Sequence, residues 1–178
     1  MSIIRLHAVF VSALAALSLT LVTSGAFAKT AHGGVSSGKY TLAPASVTGS
    51  RLDATDRSKK AGTQLQIWKA GGNVNQTWIL TKAGDGWYKI QPSYDTALAV
   101  EVKGNVSKDG TAVVLAADNG SAGELWALKP VKGGFSLAPK CAPNARLDVT
   151  GWGSTDGTKI QIWSATGKQN QTWALAGK

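Results

Sequence analysis

Hydrophobic residues along this chain come in short runs, separated by glycine, proline, asparagine and aspartate. In the first part of the chain, the runs cover residues 40–42, 51–54, 64–68 and 77–80. Each is only three to five residues long, is rich in Ile, Leu, Val, Tyr or Trp, and alternates in part between apolar and polar positions. This pattern is typical of β-strands rather than helices.

The same pattern occurs three times. The segment YTLAP at 40–44 returns as YKIQP at 88–92, 48 positions later, and as FSLAP at 135–139, a further 47 positions on. The same offsets relate the Gly-Thr pairs at 62–63, 110–111 and 157–158, and no gap is needed inside a repeat. Repeats of this length indicate a repeated supersecondary unit. We therefore predict three units, 38–85, 86–132 and 133–178, with about four strands each and twelve in all.

Units this small cannot bury their apolar faces alone, so they must close around a shared core. Closure of the strands into a barrel would also remove exposed sheet edges. The predicted core consists of one tryptophan and one aliphatic residue from each repeat: Trp78, Trp126, Trp173, Leu42, Ile90 and Leu137.

The tryptophans at the ends of the repeats carry a recognisable motif. It stands as QTW at 76–78 and 171–173, and as a degenerate ELW at 124–126. With the preceding L-D and G-T-x-x-Q-x-W segments, the chain resembles the ricin B-type lectin family over 38–178. The resemblance implies an all-β fold, a β-trefoil with pseudo-threefold repeats.

A set of polar and aromatic residues is shared by the first and third repeats and is changed in the second. Its members in the first and third repeats, followed by the replacement in the second, are Asp53 and Asp148 (Glu101), Gln66 and Gln161 (Val114), Trp68 and Trp163 (Ala116), Asn75 and Asn170 (Gly123), and Gln76 and Gln171 (Glu124). The core tryptophan, by contrast, is present in all three. A set that the fold required would have been kept in every repeat, so this set indicates a binding site that the second repeat lacks.

These side chains suit a sugar. A carboxylate accepts hydrogen bonds from neighbouring hydroxyls, an amide both donates and accepts, and an indole offers a flat face to the C–H side of a pyranose ring. The resemblance implies one shallow pocket of Asp53, Trp68 and Asn75, and another of Asp148, Trp163 and Asn170. The four glutamines, Gln66, Gln76, Gln161 and Gln171, would support or orient these residues.

A structural role is the alternative for each candidate. The aspartates could close turns, as they often do in glycine-rich loops. Trp68 and Trp163, the platform tryptophans that would stack on a sugar ring, could instead belong to the core, although Ala116 occupies the equivalent position in the second repeat. The glutamines Gln76 and Gln171 could satisfy backbone groups instead of touching a ligand. Trp152, four residues after Asp148, could extend the third pocket.

The N-terminus has the pattern of an export signal. Arg5 precedes an apolar run over residues 8–22, and Ala26 and Ala28, with Phe27 between them, provide small residues at the A-x-A spacing of a cleavage site. The run is about fifteen residues long, short of the roughly twenty that cross a membrane. We predict a signal peptide at 1–28, a flexible lead-in at 29–37, and a secreted protein, extracellular or periplasmic.

Charge and composition limit the kinds of partner and of catalytic or metal site that the chain can have. Loss of Arg5 with the signal would reduce the formal net charge from +9 to +8, spread over scattered lysines. This favours acidic polysaccharide as a partner over nucleic acid, for which no stripe of basic and aromatic residues is found. The histidines, His7 and His32, precede the repeats, and Cys141 is the only cysteine. Histidine triads and histidine-containing zinc sites are therefore excluded from the repeats, and no metal or cofactor is expected.

The sequence favours a secreted carbohydrate-binding lectin with sugar sites in the first and third repeats. The expected ligands are glycans, among them galactose-type sugars, and no enzymatic activity is expected. A glycosidase would need two carboxylates facing each other across about 5–10 Å, and no such pair is indicated. A protein-binding trefoil, or the receptor-binding component of a toxin or adhesin complex, is the other alternative, because a fold does not fix a function.

Overall fold

The computed structural model describes residues 34–178, which form twelve β-strands and six short 3₁₀ turns. The strands are β1 (Gly38–Pro44), β2 (Ser50–Ala54), β3 (Leu65–Lys69), β4 (Trp78–Lys82), β5 (Trp87–Pro92), β6 (Leu98–Val102), β7 (Val113–Ala117), β8 (Leu125–Val131), β9 (Gly134–Pro139), β10 (Ala145–Val149), β11 (Ile160–Ser164) and β12 (Trp173–Gly177). The 3₁₀ turns cover Thr55–Arg57, Val74–Gln76, Lys103–Asn105, Ala122–Glu124, Thr150–Trp152 and Gln169–Gln171. The predicted signal peptide, and the lead-in up to residue 33, lie outside the described residues.

Six strands close into a barrel in the order β1-β12-β9-β8-β5-β4, and the other six form three hairpins, β2-β3, β6-β7 and β10-β11. Each repeat contributes two pairs, one to the barrel and one hairpin. This is a β-trefoil, and it confirms the predicted fold class and the count of twelve strands. Closure of the barrel leaves no long unpaired strand edge, whereas each small unit alone would expose such edges.

The predicted core is confirmed. All six residues, Trp78, Trp126, Trp173, Leu42, Ile90 and Leu137, are completely buried. Each indole Nε1–H donates to a backbone carbonyl of the same repeat's hairpin, on Leu52 (3.1 Å), Val100 (2.9 Å) or Leu147 (3.0 Å). A buried donor without this acceptor would cost about 1–3 kcal/mol. The bond joins the barrel to the hairpin at the residue just before Asp53, Glu101 or Asp148, and so fixes the position of that acidic residue.

The Gly-Thr pairs join the three hairpins to one another. Gly62 donates its backbone N–H to Leu115 O (2.7 Å), Gly110 to Ile162 O (2.9 Å), and Gly157 to Ile67 O (2.9 Å). These three glycines have φ of +87°, +85° and +87°, a conformation that a side chain disfavours. Each hairpin therefore contacts the next in a closed ring, which explains why this motif is present in all three repeats.

Candidate functional site

The first repeat places Asp53 at the centre of a polar network. Asp53 lies on β2 opposite Gln66 on β3, and it is only 2% exposed. Gln66 Nε2 donates to Asp53 Oδ1 (3.1 Å), and Asn75 Nδ2 (2.8 Å) and Gln76 Nε2 (3.1 Å) donate to Oδ2. A carboxylate has about four acceptor positions, so about one remains for a ligand hydroxyl rather than the two expected from sequence.

The third repeat has the same geometry. Asp148 lies on β10 opposite Gln161 on β11, and it is 3% exposed. Gln161 Nε2 donates to Oδ1 (3.0 Å), while Asn170 Nδ2 (2.7 Å) and Gln171 Nε2 (3.0 Å) donate to Oδ2. Two copies that diverged in sequence elsewhere have thus retained one arrangement of four side chains.

Burial raises the pKa of Asp53 and of Asp148 above the usual aspartate value of 3.8, and the hydrogen bonds from the glutamine amides oppose that rise. Desolvation is the larger effect in both repeats. The amides therefore offset part of the cost of burying each carboxylate and do not remove it.

The glutamines of the QxW motif, Gln76 and Gln171, connect the aspartates to the backbone. Gln76 Nε2 also donates to Lys69 O (2.9 Å), and its Oε1 accepts from Gly71 N (3.0 Å). The second glutamine makes the equivalent bonds to the backbone of Ser164 and Thr166. Both glutamines are 2% exposed and neither lines the cavity beside its aspartate. Their contacts are those of positioning residues, whereas Gln66 and Gln161 line the cavities directly.

The platform tryptophans lie at the surface. Trp68 is 45% exposed and Trp163 is 43% exposed. Each packs on the Gly-Thr turn of a neighbouring repeat: a Cβ placed on Gly157 would lie 4.0 Å from Trp68 Cζ3, and one on Gly110 would lie 3.9 Å from Trp163 Cζ3. One part of each indole is therefore supported from behind and another part is open to solvent.

An aspartate next to each of these turns was missed at the sequence level. Asp156 Oδ1 accepts from the backbone N–H of Lys69 (2.6 Å), and Asp109 Oδ1 accepts from that of Ser164 (2.7 Å). Each acceptor thus holds the residue that follows a platform tryptophan of another repeat. The equivalent position in the first repeat is Ala61, and the hairpin that it faces is the one without a tryptophan. The aspartate and the tryptophan are thus missing from the same contact, and this joint absence was the signal available in the sequence.

Each network opens into a cavity. The first, of about 480 Å³, is lined by Asp53, Gln66, Trp68 and Asn75 together with Asp56, Arg57 and Asn73. The second, of about 600 Å³, is lined by Asp148, Gln161, Trp163 and Asn170 together with Thr150, Gly151, Trp152, Thr166 and Lys168. The structure therefore brings the predicted aspartate, tryptophan and asparagine together in both repeats.

One difference between the cavities lies at the equivalent positions 57 and 152. Arg57 in the first repeat and Trp152 in the third have φ of 53° and 58°, in the left-handed region that bulky side chains rarely adopt. Trp152 is 53% exposed and lines the third-repeat cavity beside Trp163. The first cavity is consequently bordered by a guanidinium where the third is bordered by a second indole.

The second repeat has filled this space. Its equivalent of Arg57 and Trp152 is Asn105, whose Oδ1 accepts a close hydrogen bond from Gly123 N. A Cβ on Gly123 would lie 2.8 Å from Asn105 Oδ1 and 3.2 Å from Glu101 Cγ. An asparagine side chain cannot extend from this position without displacing both neighbours. The larger glutamate and the turn asparagine thus occupy the place of the amide.

Both networks keep an unsatisfied atom. The side-chain oxygens Asn75 Oδ1 and Asn170 Oδ1 are buried and accept no hydrogen bond from the described residues. A buried acceptor left unpaired costs about 1–3 kcal/mol. Its presence at the same place in two repeats is more consistent with a retained binding arrangement than with optimised packing.

Over residues 34–178, no group of three His, Cys, Asp or Glu side chains is arranged to hold a metal ion. In the same part of the chain, no helix is long and apolar enough to cross a membrane. Cys141 is half-buried, and burial raises the pKa of its thiol, so the thiol is less reactive than a free one.

The chain is similar in sequence to a known protein family and to a known protein. The profile of the ricin-type β-trefoil lectin domain-like family matches residues 27–116 and 96–163. Flavastacin of Elizabethkingia meningoseptica is 32% identical over 128 residues, which are 71% of this chain and 29% of flavastacin. The chain thus spans less than a third of that relative's length.

Two solved structures are similar as well. The exo-β-1,3-galactanase 1,3Gal43A from Clostridium thermocellum is 28% identical with a TM-score of 0.74, and the match covers 79% of this chain and 30% of that one. The ricin B-like lectin of Macrolepiota procera, in complex with lactose, is 20% identical with a TM-score of 0.68, covering 82% of this chain and 99% of that lectin. The match to the lectin covers nearly its whole length, whereas the galactanase is much longer than the shared region.

Proposed function

The chain belongs to the ricin-type β-trefoil lectin family, and from this premise we propose that it is a secreted lectin whose first and third repeats each bind one sugar. One observation carries the proposal. In each of these repeats a buried, amide-bonded aspartate, an exposed tryptophan and an asparagine line the same cavity. The second repeat has neither the tryptophan nor the asparagine.

Each type of residue in the cavity would make a different contact with the sugar. The free acceptor position of Asp53 or Asp148 takes a sugar hydroxyl, and Trp68 or Trp163 packs against the C–H face of the ring. Asn75 and Asn170 also line the cavities and carry the unsatisfied oxygens, so a modest shift of the amide would let them accept a second hydroxyl. Gln76 and Gln171 hold the aspartates in place.

The two sites would differ in preference. Trp152 gives the third site a second aromatic surface, which favours a sugar with apolar C–H patches or an apolar substituent. Arg57 and Asp56 give the first site charged groups that can hydrogen-bond to more polar sugars. Galactose-type sugars are the first ligands to test, since the Macrolepiota lectin of the same fold holds lactose.

The chain would act by binding and not by catalysis. Its two buried aspartates lie in separate repeats, and each carboxylate accepts hydrogen bonds from the amides of its own repeat. Asp56, the other acidic residue that lines the first cavity, is at the position that Gly151 occupies in the third, so the two sites share no carboxylate pair of the kind that glycoside hydrolysis uses. The longer relatives, flavastacin and the galactanase, contain much additional chain. We expect this domain to bring whatever accompanies it to a glycan surface. The residues 1–28 support export, which is where such a surface would be met.

The experiment is a pair of substitutions at exposed positions. Trp68→Ala and Trp163→Ala should each reduce retention on a galactose-bearing column, and the double variant should not be retained. Both side chains are nearly half exposed, so the thermal midpoint should change little. Trp87→Ala is the matched control, because Trp87 lines neither cavity. Full retention of the double variant on every glycan that the native protein binds would exclude these sites and favour the protein-binding alternative.

A further inference from the structure

A separate cavity next to the third repeat is lined by cationic side chains. It has a volume of about 230 Å³ and receives Lys132 from the turn between β8 and β9, Arg146 from β10, and Lys168 from the loop after β11. We refer to these three residues and the space between them as the basic cavity. No Asp or Glu of the described chain lines it. Three cationic residues that line one space, with no acidic residue among its lining, favour an anion there.

Arg146 is held in place for this role. Its Nη1 donates to Pro143 O (3.0 Å) and to Ala145 O (2.7 Å), which fixes the guanidinium plane against the backbone. Among residues 34–178, no hydrogen bond is made by its Nε or its Nη2, so two donor groups of a fixed fork remain available. A fixed guanidinium binds a sulfate or carboxylate with less loss of side-chain entropy than a free one.

The cations are also free of acidic partners. The ion pairs within the described chain are Lys59 with Asp95 and Lys89 with Asp118, and neither involves the basic cavity. Ser136, which is 9% exposed, also lines the cavity. The lining of the cavity therefore includes two lysines, an arginine with a positioned guanidinium, and a serine.

The basic cavity is contiguous with the proposed third sugar site. Lys168 lines both cavities. Gln171 lines the basic cavity and donates to Asp148 Oδ2 (3.0 Å), the carboxylate of the sugar site. A glycan whose terminal sugar occupies the third site would thus lead toward the cations.

We propose that the basic cavity binds an acidic group, a sulfate or a carboxylate, carried by the sugar next to the one in the third site. This makes the third repeat an extended site for acidic glycans and rests on the proposed function. The first repeat has no counterpart of this arrangement, because the residue equivalent to Lys168 is Asn73. The positive charge of the protein would then contribute to ligand binding at one defined site.

The test measures the affinity of disaccharides in pairs that differ only by one sulfate, with lactose among them. The full chain carries Trp68→Ala, so that only binding at the third site is measured. The sulfated member of a pair should bind about tenfold more tightly than the neutral one, which corresponds to one charge-assisted contact. Lys132→Ala and Arg146→Gln should each remove most of that gain and leave the neutral member's affinity unchanged. Lys82→Ala, a lysine on an exposed part of β4, is the matched control and should keep the gain.

The outcomes separate the two proposals. If no neutral disaccharide binds, the third sugar site fails, and the extended site fails with it. If neutral disaccharides bind but the sulfated ones gain nothing, or if the gain survives in both Lys132→Ala and Arg146→Gln, only the basic cavity is excluded. Inorganic sulfate alone distinguishes a free-anion site: binding of sulfate at the cavity without any gain for the sulfated sugar would overturn the proposed glycan. Lys132 lies at an exposed turn, so this variant remains informative even if Arg146→Gln is unstable.

Discussion

At the scale of single residues, Asp53 and Asp148 belong both to the buried structure of the hairpins and to the proposed sugar sites. Each carboxylate organises three amides and is nearly inaccessible to bulk water, yet it lies at the wall of a cavity. The raised pKa of each aspartate is the consequence of that burial. Binding and stability should therefore respond to protonation of these groups with opposite signs.

The pH dependence follows from that rise. Because the folded pKa lies above the unfolded value of 3.8, the contribution of these two groups to the free energy of unfolding is largest at low pH and is lost as the pH rises from about 3.8 through the folded pKa. Sugar binding needs the ionised form as acceptor, so it should be lost on acidification at a pH above 3.8.

The measurement is a pair of titrations, affinity for a neutral disaccharide and the thermal midpoint, each against pH. In the Asp53→Asn, Asp148→Asn double variant, the acid-dependent loss of affinity should disappear together with most of the binding. An affinity that stays constant down to pH 3.8 in a folded native protein would show that these carboxylates are not the acceptors.

Most of the residues at this scale could be found from the sequence. The pattern of what the second repeat lacks identified the aspartate, tryptophan and asparagine of both cavities. It could not separate Gln76 and Gln171, which hold the aspartate, from Gln66 and Gln161, which line the cavity. Within each repeat both glutamines hydrogen-bond the same carboxylate, Asp53 in the first and Asp148 in the third, and only their position in three dimensions tells them apart.

At the scale of elements, each site is completed by a neighbouring repeat. The Gly-Thr turn of one hairpin packs beneath the tryptophan of the next, and the aspartate before it hydrogen-bonds the following residue of that strand. A site therefore depends on a loop about fifty positions or more away in sequence. Pattern analysis within one repeat cannot find such a dependence.

Asp109→Ala tests this dependence. Loss of the acceptor for Ser164 N–H should lower the third site's affinity severalfold, because the strand end beneath Trp163 is no longer fixed, while the cost in stability should stay near 0.5–1.5 kcal/mol for one exposed hydrogen bond. The first site should be unaffected. Affinity is measured in a Trp68→Ala background for the third site and in a Trp163→Ala background for the first.

Asp156→Ala provides the mirror control, since it should weaken the first site only. Asp109→Asn keeps an acceptor oxygen and should restore most of the third site. Equal losses at both sites in Asp109→Ala would indicate general destabilisation and contradict a positioning role for this residue.

At the scale of the whole molecule, the β-trefoil presents its two networks on different hairpins around one barrel. We expect a single shallow site of this kind to bind a monosaccharide with a dissociation constant near millimolar, about −4 kcal/mol. Two sites on one body can engage one multivalent surface, and their combined retention can exceed either affinity by orders of magnitude.

Loss of one site should therefore have unequal effects on two kinds of ligand. Trp163→Ala should lower retention on a densely glycosylated surface by about a hundredfold or more, but should leave the first site's affinity for a free monosaccharide unchanged. Surface retention and solution titration of the same variant give the comparison. Equal, small losses in both measurements would mean that the two sites do not act together.

The fold itself could be predicted almost completely, because the repeat offsets, the short strands and the shared tryptophans each point to the same closed architecture. The Gly-Thr ring between hairpins and the basic cavity could not. Both are made by segments of different repeats, so their residues become neighbours only when the barrel closes.

In the proposed sites, Trp68 and Trp163 contact sugar while the core tryptophans do not. The chain has seven tryptophans, and each indole N–H gives its own signal in a nitrogen–proton correlation spectrum. Titration with a disaccharide that the protein retains should shift the signals of Trp68 and Trp163, with Trp152 following Trp163, and leave those of Trp78, Trp126 and Trp173 in place. Saturation without movement of the Trp68 and Trp163 signals would show that neither tryptophan contacts the sugar.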